Sequence, residues 1–224
     1  MIELLFGQYA DYPAAFIALE LIAVSFGVAS VLLASRLSIL VFPVGIISTA
    51  IFVYLLWEWQ LFGDMLINAY YTAMSVYGWL NWSKNQTATH EPQVEHIQKR
   101  DLPLLATLGG VSAAFVALVY YFRPVINNHF SFEGAVLGLN LFTWVDVTDM
   151  LTTALFLIAM WLMARRKIEH WLVWIVADTI SVPLYFYKGY TFTALQYVVL
   201  TLIAIKAYYD WKQSFSRQSQ AGYA

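Results

Sequence analysis

Trp171-Leu-Val-Trp174-Ile-Val-Ala-Asp178-Thr-Ile-Ser181-Val-Pro183-Leu-Tyr185-Phe-Tyr187-Lys188 decides how this chain is read. The stretch is long and apolar enough to cross a bilayer, yet it holds one acid near its middle. A helix entering near residue 169 reaches Asp178 after roughly 13 Å, close to the midplane of a hydrocarbon core about 30 Å thick. Trp171, Trp174, Asp178, Ser181 and Tyr185 recur three or four residues apart, so they share one face. A carboxylate at a helix centre costs about 2.5–3.5 kcal/mol on insertion scales, so this face is expected to line a cavity.

The rest of the chain fits that setting. Of its 224 residues 61% are apolar, 12% charged and 17% aromatic, well away from a soluble domain. Seven apolar stretches, approximately 12–34, 37–57, 62–82, 102–122, 146–164, 170–187 and 190–209, predict an all-α membrane protein with seven transmembrane helices. Ten of twelve Lys and Arg fall in alternate connections, leaving Arg123 and Lys188 on the other side. That bias puts the N-terminus outside and the C-terminus in the cytoplasm. The N-terminus has no basic run, so the first span is expected to act as its own insertion signal.

Several classes are set aside. With no Cys there is no disulfide, thiolate nucleophile or thiolate metal site. A net charge of −2 with no basic patch gives nucleic acid nothing to bind. No zinc-type His spacing, nucleophile elbow or phosphate loop occurs, so no enzyme, cofactor or metal is expected. Lys206, the one candidate Schiff-base amine in the last span, lies near its inner end, which disfavours a retinal protein. The run from Ser83 to Asp101 reads as a solvated cytoplasmic linker, with His90 and His96 beside Glu91 and Glu95 in it. Arg165-Arg166-Lys167 reads as a topology anchor able to attract anionic lipid.

A weak repeat appears at a shift of about 130 residues. Ala34-Ser35-Arg36 lies over Ala164-Arg165-Arg166, Glu20 falls within a residue of Asp149, and Tyr54 pairs with Tyr185. Three helices exit on the opposite side, so a parallel second copy needs one intervening span. The expected plan is therefore 3+1+3. It has a three-helix bundle at 12–82, the linker at 83–101 and a connecting helix at 102–122. A second bundle at 146–209 and a cytoplasmic tail at 210–224 complete it, with the solute site between the halves.

Polar groups converge on that site. Asn68, Tyr71, Ser75, Trp79 and Trp82 form a helical stripe in the third span. Trp82 suits an interfacial aromatic belt, and Trp79 suits either a belt or the cavity. Glu20, Asp146 and Asp149 are acids in the outer part of the membrane with no Lys or Arg close in sequence. Carboxylates beside aromatic faces suit a cationic or electron-poor ring. Pro183, and Pro43 with Gly45, mark possible breaks in their helices.

The run Asp64-x-x-x-Asn68-x-x-Tyr71-x-x-x-Ser75-x-Tyr77-Gly78-Trp79-x-x-Trp82 resembles the third-helix motif of the PnuC vitamin transporters. Trp171-x-x-Trp174-x-x-x-Asp178, continuing to Tyr185 and Lys188-Gly189, is similar to their sixth-helix motif. The run from Leu151 to Arg165 is similar to their fifth. The resemblance implies a SWEET-like core, homotrimers, and facilitated diffusion of nicotinamide riboside trapped inside by phosphorylation. It departs at Asn68, where the family has Gln, so thiamine stays open as an alternative substrate. A proton-coupled symporter using Asp178 or Glu20, and a non-transporting receptor, are the competing classes. The candidate substrate-binding set is Trp174, Asp178, Tyr185, Ser181, Asn68, Tyr71, Ser75, Trp79, Glu20 and Asp149.

Overall fold

The computed structural model describes residues 13–85, 93–128, 130–189 and 191–221. Among these, seven helices of eighteen residues or more carry the chain: α1 (Ala14–Ser35), α2 (Val41–Glu58), α3 (Phe62–Lys84), α4 (Leu102–Tyr121), α5 (Trp144–Ala164), α6 (His170–Tyr187) and α7 (Thr191–Ala221). No strand occurs among the described residues; a single bridge pairs Glu95 with Lys167. Four helices, α1, α2, α4 with its leading turn, and α5, are long and apolar enough to cross a membrane. α3 and α6 carry the polar and aromatic stripes that dilute their apolar character.

α2 packs between α1 and α3, and α6 between α5 and α7; α3 then meets α5, α1 meets α7, and α4 lies against α5. Small residues let α1 and α2 approach closely. A Cβ on Gly27 would sit 3.1 Å from the Ser48 hydroxyl, and one on Gly45 3.0 Å from that of Ser30. Those hydroxyls donate across the seam, Ser48 to the Ala23 carbonyl at 2.7 Å and Ser30 to Val41 at 2.9 Å. Pro43 falls in the first turn of α2, where no helical hydrogen bond is lost, so it does not break that helix. Pro183 lies inside α6.

Outer faces stay apolar, with Leu21, Leu80, Leu118, Val147 and Leu202 exposed. The most buried core lies at the end where the 93–101 segment joins α4, here the linker end. Trp82 is fully buried there, and its indole donates to the Met163 carbonyl at 3.0 Å. Trp211 does the same to Ala34 at 2.9 Å. The two indoles touch at 5.6 Å between centroids, with Phe42 edge-on to Trp82 at 4.9 Å and Trp171 edge-on to Trp211 at 6.0 Å. The interfacial-belt expectation for Trp82 is therefore overturned: α7 brings Trp211 against it and removes it from lipid.

Two further expectations change at this end. The linker is not a solvated loop over its described part, because Glu95 takes the 166–168 backbone as a short parallel bridge. Arg166 and Lys167 are buried, Lys167 to 1% exposure, and bind Glu95 at 2.8 and 2.9 Å. Lys167 also meets Asp101 at 3.3 Å, so Arg166 and Lys167 of the basic run serve the linker rather than lipid, while Arg165 turns to Tyr77 and Trp161. Burial pushes the Glu95 carboxyl up, but the Lys167 hydrogen bond and the Arg166 charge outweigh it and hold it low. His96 pairs with Glu169 at 2.7 Å; His90 and Glu91 lie outside the described residues. The last helix does not stop near 209 but continues to Ala221, about 46 Å of helix, which is longer than a bilayer core is thick. There Phe215 packs on His96 at 4.5 Å.

Candidate functional site

At the end opposite the linker, α3, α4, α5, α6 and α7 surround a cavity of about 720 Å³. Its α5 wall is Asp149, Thr152, Thr153 and Phe156, the i, i+3, i+4, i+7 set of one helix face. Its α3 wall is Asp64, Ile67 and Tyr71, and Tyr185 and Tyr197 close it from α6 and α7. The deep part is aromatic. Phe156 and Tyr197 are nearly parallel, 9° apart at 6.0 Å; Tyr185 leans on Tyr197 at 5.2 Å; and Trp174 backs Phe156 at 5.2 Å.

Charge gathers at the mouth. Asp149 accepts from the Tyr120 hydroxyl at 2.6 Å and from the Lys188 ammonium, which also stands 5.2 Å over the Tyr185 ring. Arg123 binds Asp146 at 2.9 Å. Asp146 is otherwise engaged in the α5 capping box, accepting the Thr143 N–H at 2.7 Å, which is what starts that helix. Of the three acids without a cation near in sequence, Asp146 and Asp149 are thus paired by tertiary contact.

Three of the ten candidate residues line the cavity: Tyr71, Tyr185 and Asp149. Trp174 stands one ring behind the wall. Asp178 and Ser181 lie deeper on α6, Asp178 about 10 Å from Tyr185 along the helix. Asp178 is 2% exposed, and among the described residues its Oδ1 and the Ser181 hydroxyl have no hydrogen-bond partner. Asn68 donates back to the Asp64 carbonyl at 3.0 Å, and Ser75 is buried against α2 beside Gly45. Trp79 is 43% exposed on the outer surface, and Glu20 is half-buried on α1, away from the cavity wall. Phe156, Tyr197, Tyr120, Arg123 and Lys188 also line the cavity and lie outside that candidate set. The spacing from Asp149 to Phe156 carried a usable signal; the others approach from separate helices.

The cavity is open at one end and closed at the other. Below the tyrosines come Asp178 and Ser181, then the Trp82, Trp171, Trp211 and His170 cluster, all buried. Such a chamber can take a flat ring between aromatic faces, balance a positive charge with carboxylates, and exclude water beneath.

A family model described as nicotinamide mononucleotide transporter matches residues 17–213. The nicotinamide riboside transporter PnuC of Escherichia coli is 28% identical over 186 residues, covering 76% of this chain and 74% of the relative. The riboflavin/roseoflavin transporter RibM of Streptomyces davaonensis is 25% identical over 183 residues, 74% of this chain and 78% of the relative. A crystal structure of the vitamin B3 transporter PnuC superposes with a TM-score of 0.63 at 18% identity, over 95% of this chain and 86% of that one. At that identity the last likeness speaks for the fold alone.

Proposed function

The chain belongs to the nicotinamide mononucleotide transporter family, and from that premise we propose that it carries nicotinamide riboside across the bacterial inner membrane by facilitated diffusion. The observation that carries the reading is the one-ended chamber. It has aromatic rings at its floor, carboxylates at its mouth, and a buried indole seal toward the linker end. Nicotinamide riboside is a flat cationic ring with a hydroxylated sugar, which matches stacking and charge balance together. Phosphorylation inside the cell traps what enters. Asp178 and Ser181, with unmet oxygens under the tyrosine floor, take the ribose hydroxyls as the floor parts; Trp174 backs the ring and Asn68 is the amide partner.

All seven helices span the membrane in this reading, N-terminus outside and linker in the cytoplasm, as homotrimers. The halves are parallel repeats in a 3+1+3 plan. Support comes from coincidences at a constant offset of 129. Trp82 to Met163 and Trp211 to Ala34 are the same bond; Phe42 and Trp171 pack edge-on at matching places. The left-handed turn residues also pair: Leu37 with Arg166, and Gln60 with Gly189. In this reading the repeat register is 129, one residue from the 130 at which Arg36 lies over Arg166.

Uptake of labelled nicotinamide riboside, thiamine and riboflavin by a strain lacking its own systems tests the proposal. Nicotinamide riboside should enter best, and counterflow in liposomes should persist without a proton gradient. Strict gradient dependence makes the protein a symporter through Asp178 or Glu20. Preference for thiamine moves the substrate, and absence of any flux points to a receptor.

A further inference from the structure

We infer that Lys188 is the cavity's own stand-in for the charge of its ligand. Its ammonium holds the place between Asp149 and Tyr185 that a flat organic cation takes, and it swings to Asp64 when that ligand arrives. The inference rests on the transport reading above and adds to it a site for the cation and a competitor within the chain.

Lys188 caps α6 and reaches back to make two contacts, a bond to the Asp149 carboxylate and an approach of 5.2 Å to the face of Tyr185. A carboxylate and an aromatic face are the pair of partners an aromatic cation seeks. All three residues line the cavity. The pair is not locked in a core: the Lys188 side chain is 23% exposed and that of Asp149 14%. Its partial hydration makes the pair cheaper to part than a fully buried one. Asp149 keeps its Tyr120 bond at 2.6 Å during the exchange, so the carboxylate stays aimed.

Asp64 supplies the landing place. It stands on the facing helix α3, exposed to the same cavity and within electrostatic reach of both Asp149 and Lys188. Among the described residues no hydrogen bond reaches its carboxylate. A displaced ammonium therefore finds a new counter-charge, and the incoming cation does not face an unpaired Lys. A neutral ring gains nothing from the exchange, because it cannot replace the ammonium at Asp149. The swap makes the cavity select charge as well as shape.

The test uses the purified full chain, with nicotinamide riboside and its uncharged dihydro form as probes in calorimetry. Lys188→Met should bind the cation roughly 5- to 30-fold more tightly, the combined worth of a partly exposed ion pair and a cation–π contact. The dihydro form should change by no more than about twofold, since it never competes with the ammonium. A second readout needs no variant. Saturating nicotinamide riboside should raise the rate at which an impermeant amine reagent modifies Lys188 in the parent protein, and the dihydro form should not. Weaker cation binding by Lys188→Met at an unchanged melting temperature, or protection of Lys188 by the cation, overturns the inference. Binding by the parent with unchanged affinity in the variant overturns this inference alone; no binding of either probe by the parent overturns the transport reading with it.

Discussion

Trp82→Phe should destabilise the protein by roughly 2–3 kcal/mol. The substitution removes an indole N–H whose acceptor, the Met163 carbonyl, still keeps the Arg166 N–H at 2.9 Å. The loss is then the net value of one hydrogen bond, about 1 kcal/mol, rather than the penalty of an orphaned carbonyl. The smaller ring also leaves a gap beside Phe42 and Trp211 in a site with no exposure. Lost packing and weakened edge-to-face contacts add about 1–2 kcal/mol. For a chain of this size the melting temperature should fall by roughly 4–12 °C. Trp211→Phe should cost a similar amount, because Ala34 likewise keeps a backbone donor, Leu37 at 3.0 Å. The double variant should lose less than the sum, since the two rings touch. Trp79→Phe, on the outer surface, is the control and should stay within about 0.5 kcal/mol of the parent. Thermal melting of the purified variants, followed by size-exclusion fluorescence, reads all four. A Trp82→Phe protein melting with the parent, while Trp79→Phe falls, would return Trp82 to the bilayer interface and refute the reasoning.

Gly78→Ala should destabilise: its Cβ would lie 2.3 Å from a Phe42 ring carbon that is itself buried against Trp82, and overpacking of about 1–3 kcal/mol exceeds the roughly 1 kcal/mol gain in helix propensity. Melting of Gly78→Ala beside Gly110→Ala, whose Cβ meets nothing within 4 Å, isolates the clash. The linker should release under acid. Glu95 titrates lower when docked than when free, so its contribution is full above the ordinary carboxylate range and is lost as pH falls below that range through the lowered docked value. Limited proteolysis between residues 93 and 101 should quicken below that range, and Glu95→Gln should cleave quickly at neutral pH too; cleavage independent of both would sever the link. Asp178→Asn removes a buried charge whose Oδ1 has no partner among the described residues, so stability should hold or rise while nicotinamide riboside uptake falls. A lowered melting temperature with uptake intact would assign Asp178 to structure instead.

Composition and helical spacing by themselves determined that the chain is a helical membrane protein, roughly where its helices run, and that α3 and α6 carry polar-aromatic stripes. Those properties are local, set by residues within a few turns of one another. Spacing also places each side chain at an angle around its own helix, but it does not say which neighbour fills that angle. Asn68, Tyr71 and Ser75 share a stripe, yet only Tyr71 reaches the cavity, because α2 covers the side where Ser75 points. Asp149 reads as an unpaired acid until α6 returns Lys188 to it across 39 residues, and Trp82 reads as a belt residue until α7 arrives with Trp211. The linker was polar by composition, but its Glu95 found buried Arg166 and Lys167 waiting at the α5–α6 turn. Burial and charge pairing belong to the assembled bundle, where residues far apart in sequence exclude lipid and water from one another, so only the tertiary structure could decide them.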